Sequence, residues 1–150
     1  MRIEIDQSGH IETTKDNTAL AFSNGRRYAI LIPPKTARAC VRALRAQRVK
    51  APQLQVRLFA ATLFLLLKDH THEHLSILID REYMGLDRDI KTRLLYLLRK
   101  EGISVDADQI AFGYIGKKSP AHDLAIAVYR GQSKADRIID TAELLSALRA

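Results

Sequence analysis

The chain has 150 residues, enough to bury a core without disulfide or metal staples, and its 47% hydrophobic and 27% charged content excludes a disordered polypeptide. A single cysteine, Cys40, excludes an internal disulfide and fits a reducing, cytoplasmic setting. The formal net charge of +7 makes polyanions, nucleic acid first among them, the partners to test.

The opening Met1-Arg2-Ile3-Glu4-Ile5-Asp6 has no apolar leader core; its alternation predicts a strand with Ile3 and Ile5 on the core face. Ser8-Gly9-His10 breaks the strand, and residues 11–14 extend the turn. Segments 18–22 and 27–32 flank Asn24-Gly25, a dipeptide that tolerates positive φ and marks a hairpin. Three antiparallel strands therefore come first.

Pro33-Pro34 ends the third strand, and helices are predicted over about 35–49 and 53–69, the second with Pro52 at its first position. The apolar run from Leu58 to Leu67, interrupted only by Thr62, falls short of the roughly 20 residues a membrane span needs, so a buried helix and no membrane partner are expected. Leu75-Ser76-Ile77-Leu78-Ile79-Asp80 reads as a strand buried on both faces. Asp87 can cap a helix carrying Ile90, Leu94, Leu95 and Leu98, which Gly102 stops. A fifth strand fits 109–115. Ser119 caps a further helix with Pro120 at its first position, and Asp140 or Thr141 caps a last one. The order predicts a single α/β domain over residues 1–150: a mixed five-stranded sheet, three strands antiparallel and two parallel, flanked by helices. Right-handed crossovers would set the first and fourth strands side by side and parallel. The hairpin strands would leave an edge on which a second copy could pair, so a homodimer is one expectation, although no residue requires it.

Over residues 1 to about 131 the order of elements and of acids resembles the ribonuclease H-like superfamily. The resemblance rests on Ile5-Asp6-Gln7-Ser8-Gly9 at the first strand, Ile77-Leu78-Ile79-Asp80 at the end of the fourth, and Ser119-Pro120-Ala121-His122-Asp123 opening the helix after the fifth. It implies Asp6, Asp80 and Asp123 as catalytic, metal-ligating residues of a nuclease. Independently of the family, acids ending adjacent parallel strands stand where open α/β sheets bind ligands. Their mutual repulsion is relieved by Mg²⁺ or Mn²⁺, and two such ions about 4 Å apart can activate water and stabilise a leaving oxygen. Lys117 and Lys118 would hold a phosphate.

The resemblance has a gap. Ribonucleases H of the familiar type carry a glutamate in the first helix, whereas neither 35–50 nor 52–68 contains an acid. Glu82 or Glu4 is the substitute, Glu4 because it shares a strand face with Asp6. The alternative is a fold that has lost the chemistry and binds nucleic acid or protein only. Each acid also has a bland explanation: Asp6 and Asp80 as strand ends meeting water, Asp123 as a first-turn acid favoured by the helix dipole.

Lys35, Arg38, Arg42, Arg45 and Arg48 span roughly 140° of an ideal helix, a basic face that is either solvated or tracks a phosphate backbone. Cys40 lies beside the apolar arc and reads as core. His70, His72 and His74 around Glu73 read as a surface loop rather than a zinc site. His122 reads as a solvated helix residue, with assistance to proton transfer as its alternative.

Overall fold

The computed structural model describes residues 1–23, 25–72 and 74–150. The Asn24-Gly25 hairpin signal and the His70–His74 segment include Asn24 and Glu73, which lie outside the described residues.

Alternation along β1 (Arg2–Ser8) decides the architecture. Ile3 and Ile5 are buried in the main core, while Glu4 and Asp6 turn to the opposite sheet face. β2 (Thr18–Ser23) and β3 (Arg27–Ile32) follow antiparallel, with Ile5 opposite Phe22 and Ala21 opposite Ala29. β4 (Ser76–Asp80) lies parallel to β1, Ile3 beside Ile77, and β5 (Ile110–Gly113) lies parallel to β4. Residues 11–13, expected as part of a turn, form one 3₁₀ turn.

The sheet has six strands, in the order β5-β4-β1-β2-β3-β6, not the five expected. The extra strand, β6 (Arg137–Ile138), pairs in parallel with β3, and Ile139 N–H continues the pairing by donating to Leu31 O. Two residues carry no period-two pattern, so only tertiary pairing reveals it. β6 also occupies the Ile30–Leu31 part of the hairpin edge on which a second copy could have paired. The sheet ends instead on two short strands.

The two faces are covered unequally. On one side lie α1 (Pro34–Ala46), α2 (Gln53–Leu67), α3 (Asp87–Lys100) and α5 (Thr141–Arg149). α2 is apolar nearly all round because it is sandwiched by α3 and α5, and its Phe59, Leu63 and Leu66 are fully buried. α1 buries Ala37, Cys40, Val41 and Leu44 and leaves Arg38, Arg42 and Arg45 exposed. It ends at Ala46, three residues before its predicted end, so Arg48 sits past the helix with φ +63°. α3 starts at Asp87, which serves as its first residue rather than its cap and instead takes the Arg81 guanidinium at 2.7 Å.

α4 (Pro120–Tyr129) alone covers the other face, packing on β1, β2 and β3. The interface is built from small side chains, Ala19, Ala21 and Ala29 against Leu124, Ala125 and Val128. Beyond its reach Leu78 is only half-buried and Ala111 is exposed, so β4 is not covered on both faces as its apolar run predicts. No helix among the described residues is long and apolar enough to cross a membrane.

Candidate metal centre

β1 and β4 run parallel, and Asp6 and Asp80 stand one step past the paired Ile5 and Ile79 on the face that α4 covers only in part; β4 ends there, whereas β1 runs on to Ser8 paired with β2, so Asp6 is not the strand end that the sequence suggests. Glu82 follows two residues after Asp80. One oxygen from each of Asp6, Asp80 and Glu82 lies within 4.8 Å of the other two. They open into a cavity of about 300 Å³ also lined by Gln7, Tyr114, Ile115, Lys117 and His122.

Each carboxylate is held from a different direction. Asp6, 5% exposed, accepts the Gln7 N–H at 2.9 Å and meets His122 Nδ1 at 2.7 Å. Asp80 accepts the Ile115 N–H at 3.0 Å, which ties the loop after β5 to the site. Glu82 pairs with His10 at 3.2 Å. Burial pushes the Asp6 carboxyl above the ordinary aspartate range; the His122 bond pulls against this, and the charge of Glu82 adds to it. Asp80 is raised too, chiefly by burial, with the Ile115 bond opposing and the Asp6 charge reinforcing. His10 shifts upward because its bond to Glu82 outweighs the cost of burying its charge. A set of hard oxygen ligands in mutual repulsion is the donor chemistry that Mg²⁺ and Mn²⁺ satisfy.

A further polar group at this site lacks a partner. Gln7, 7% exposed, donates from Nε2 to the Tyr83 hydroxyl at 3.3 Å, and its buried Oε1 has no hydrogen-bond partner among the described residues. The Tyr83 hydroxyl in turn donates to Glu12 Oε1 at 2.8 Å, so Gln7 belongs to a polar chain beside the cavity.

The structure assembles Asp6, Asp80 and Glu82 but leaves Asp123 out: it is exposed on α4 and belongs to no such cluster. Successive helical residues are about 100° apart, so with His122 turned onto Asp6 the next side chain must point elsewhere. The histidine takes the place expected of the third aspartate. Ser119 fixes that first helical turn over β1: its hydroxyl caps α4 at Ala121 N–H (3.3 Å) and donates to Glu4 Oε1 (2.7 Å). Glu4 shares the face of Asp6, as its spacing predicts, but is engaged with Ser119 and with Arg2 at 3.7 Å, not with the metal-type cluster.

Lys117 lines the cavity and Lys118 is exposed in the same turn. Arg38, Arg42 and Arg45 lie on α1, across the sheet from α4. Arg38 donates to Thr14 O at 3.2 Å, and Arg45 lines a separate groove with Glu12, Arg48 and Lys50. His70 lies in the loop after α2, as expected, and packs there on Tyr28 and Phe22, with ring centroids 4.2 Å and 5.2 Å away.

No family model, no curated protein and no solved structure matches this chain.

Proposed function

We propose that the protein is a ribonuclease H-like phosphodiesterase that acts on nucleic acid with Mg²⁺ or Mn²⁺. The observation that carries this is the convergence of Asp6, Asp80 and Glu82 oxygens within 4.8 Å where β4 ends beside the parallel β1. The sequence β5-β4-β1-β2-β3 within the sheet, with β4 parallel to β1, supports the family resemblance. The net charge of +7 supports a polyanionic substrate, since an acidic pocket in a basic protein attracts the polyanion to the molecule and the cation to the pocket.

Asp6, Asp80 and Glu82 would hold the cation. When bound, it supplies charge neutralisation at the phosphate and lowers the pKa of water in the site. His122 donates from Nδ1 to Asp6, which fixes the ring and leaves Nε2 to accept the proton of the attacking water. Lys117 neutralises a phosphate oxygen at the mouth, and water is added across the P–O bond that breaks. The cluster provides one set of three carboxylate ligands, so a single ion is the stoichiometry proposed.

The test is a cleavage screen over single-stranded, duplex and hybrid oligonucleotides with Mn²⁺, Mg²⁺ or EDTA, run beside calorimetric metal titrations of wild type and Glu82→Gln. Cation-dependent cleavage, lost together with metal binding in Glu82→Gln, is expected. No metal binding by a folded wild type, with and without oligonucleotide, would overturn the proposal. Nucleic-acid binding without metal or cleavage would leave the binding-only alternative.

A further inference from the structure

Among the described residues the two most exposed large apolar side chains, Met84 at 77% and Tyr114 at 72%, are neighbours, with the Tyr114 hydroxyl 4.0 Å from Met84 Sδ. Isolated apolar residues on a surface need no explanation. This pair stands at the rim of the carboxylate cavity, which Tyr114 lines.

The ring is also held in place. Tyr114 follows β5 directly, and the next residue is pinned by the Ile115 N–H bond to Asp80 Oδ1. The Arg81 guanidinium carbon lies 5.5 Å from the Tyr114 ring centroid, and Arg81 is itself fixed by Asp87 at 2.7 Å and by its own N–H, which donates to Gly113 O at 2.8 Å. An aromatic ring supported by an anchored cation loses little freedom when a ligand packs on it. Beside it the sheet surface at Leu78 and Ala111 carries no helix, so a flat group can approach.

We propose that Tyr114, backed by Arg81 and flanked by Met84, is a stacking platform for an unpaired nucleobase, so that the carboxylate site takes single-stranded nucleic acid. This rests on the reading of that site as a phosphodiesterase. Within a duplex both faces of a base are already stacked, whereas a single strand offers free π-faces to an exposed ring. A base on Tyr114 brings the adjoining phosphate towards Lys117 and the carboxylates lining the same cavity. The platform is indifferent to sequence, because every base has a π-face.

The experiment is fluorescence anisotropy in EDTA with labelled oligonucleotides of about 12 nucleotides, within the usual site size of single-strand binders. Single-stranded DNA, single-stranded RNA and a duplex of the same sequence are compared on wild type, Tyr114→Ala and Tyr114→Phe. The exposed position makes all three expected to fold, which thermal melts verify. Expected is tighter binding of single strands than of duplex, a loss of about ten-fold in single-strand affinity for Tyr114→Ala, and retention by Tyr114→Phe. Affinity for single strands unchanged in Tyr114→Ala, or duplex bound as tightly as single strands by wild type, overturns the platform. The DNA and RNA arms show which sugar the strand carries. Because the assay contains no metal, it separates two failures: cleavage that survives without Tyr114-dependent binding sinks the platform alone, and Tyr114-dependent binding without metal or cleavage sinks the phosphodiesterase alone.

Discussion

Replacing Asp80 by asparagine should stabilise the metal-free protein while abolishing its response to metal. Two carboxylate charges at the 4.8 Å limit of the cluster repel by about 3.5 kcal/mol at an effective dielectric of about 20. The cavity mouth is open to water, and screening there leaves a gain of about 1 kcal/mol. The amide in Asp80→Asn would keep an oxygen to accept the Ile115 N–H, so the loop anchor survives. For a chain of this length about 1 kcal/mol corresponds to about 2–4 °C in Tm. Cation at a hundred times Kd should in turn stabilise the wild type by about 2.7 kcal/mol, or about 5–10 °C, and the variant scarcely at all. Differential scanning calorimetry in EDTA and then in Mn²⁺ measures both effects. A variant that melts below wild type in EDTA, or that shows the wild-type increment with Mn²⁺, would refute the account of three repelling carboxylates sharing one cation.

His122→Ala should lower the kcat of cation-dependent cleavage by about 100-fold, whereas Asp123→Asn should leave it unchanged. The opposite ranking in steady-state assays would restore the aspartate as the functional group on α4. Cys40, on the buried face of α1 with its thiol pushed up to about 11 by burial, should resist a thiol reagent at pH 8 until denaturant is added. One equivalent of rapid labelling in native buffer would contradict that burial. Gly9 has φ +75°, and a Cβ there would lie 2.5 Å from Asn17 O and 2.9 Å from the Tyr129 ring. Gly9→Ala should therefore cost about 1–3 kcal/mol from backbone strain, with the clash adding to it, read as a lower urea midpoint; an unshifted midpoint would exclude the strain.

What local patterning encodes was legible. The alternation of β1, the Pro33-Pro34 stop, the Ser119 and Asp140 caps and the apolar run of α2 each mark an element that the structure contains. Asp6 and Asp80 could be paired in advance because a right-handed crossover sets β4 beside β1, and each strand carries an acid in its C-terminal half. Glu82 was readable as one of two substitutes for the missing helical glutamate, and the structure brings Glu82, not Glu4, to the cluster. Two features could not be read this way. β6 is two residues long and exists only through β3. His122 and Asp123 are adjacent, and which of them meets Asp6 depends on the rotation of α4 about its axis, a tertiary quantity.

That rotation is set by side-chain size. On the sheet face under α4 stand Ala19, Ala21 and Ala29, where the opposite face carries Leu20, Phe22 and Ile30. Small residues on the sheet, met by Ala121 and Ala125 on the helix, allow α4 to approach until Ser119 reaches Glu4 and His122 reaches Asp6, each at 2.7 Å. A bulkier residue at Ala21 would lift the helix and open both bonds together. α4 does not extend over β4 and β5, and the uncovered strip there leads from Tyr114 to the carboxylates. The same unequal covering of the sheet thus brings a histidine onto Asp6 on one side of the cavity and leaves a way in on the other.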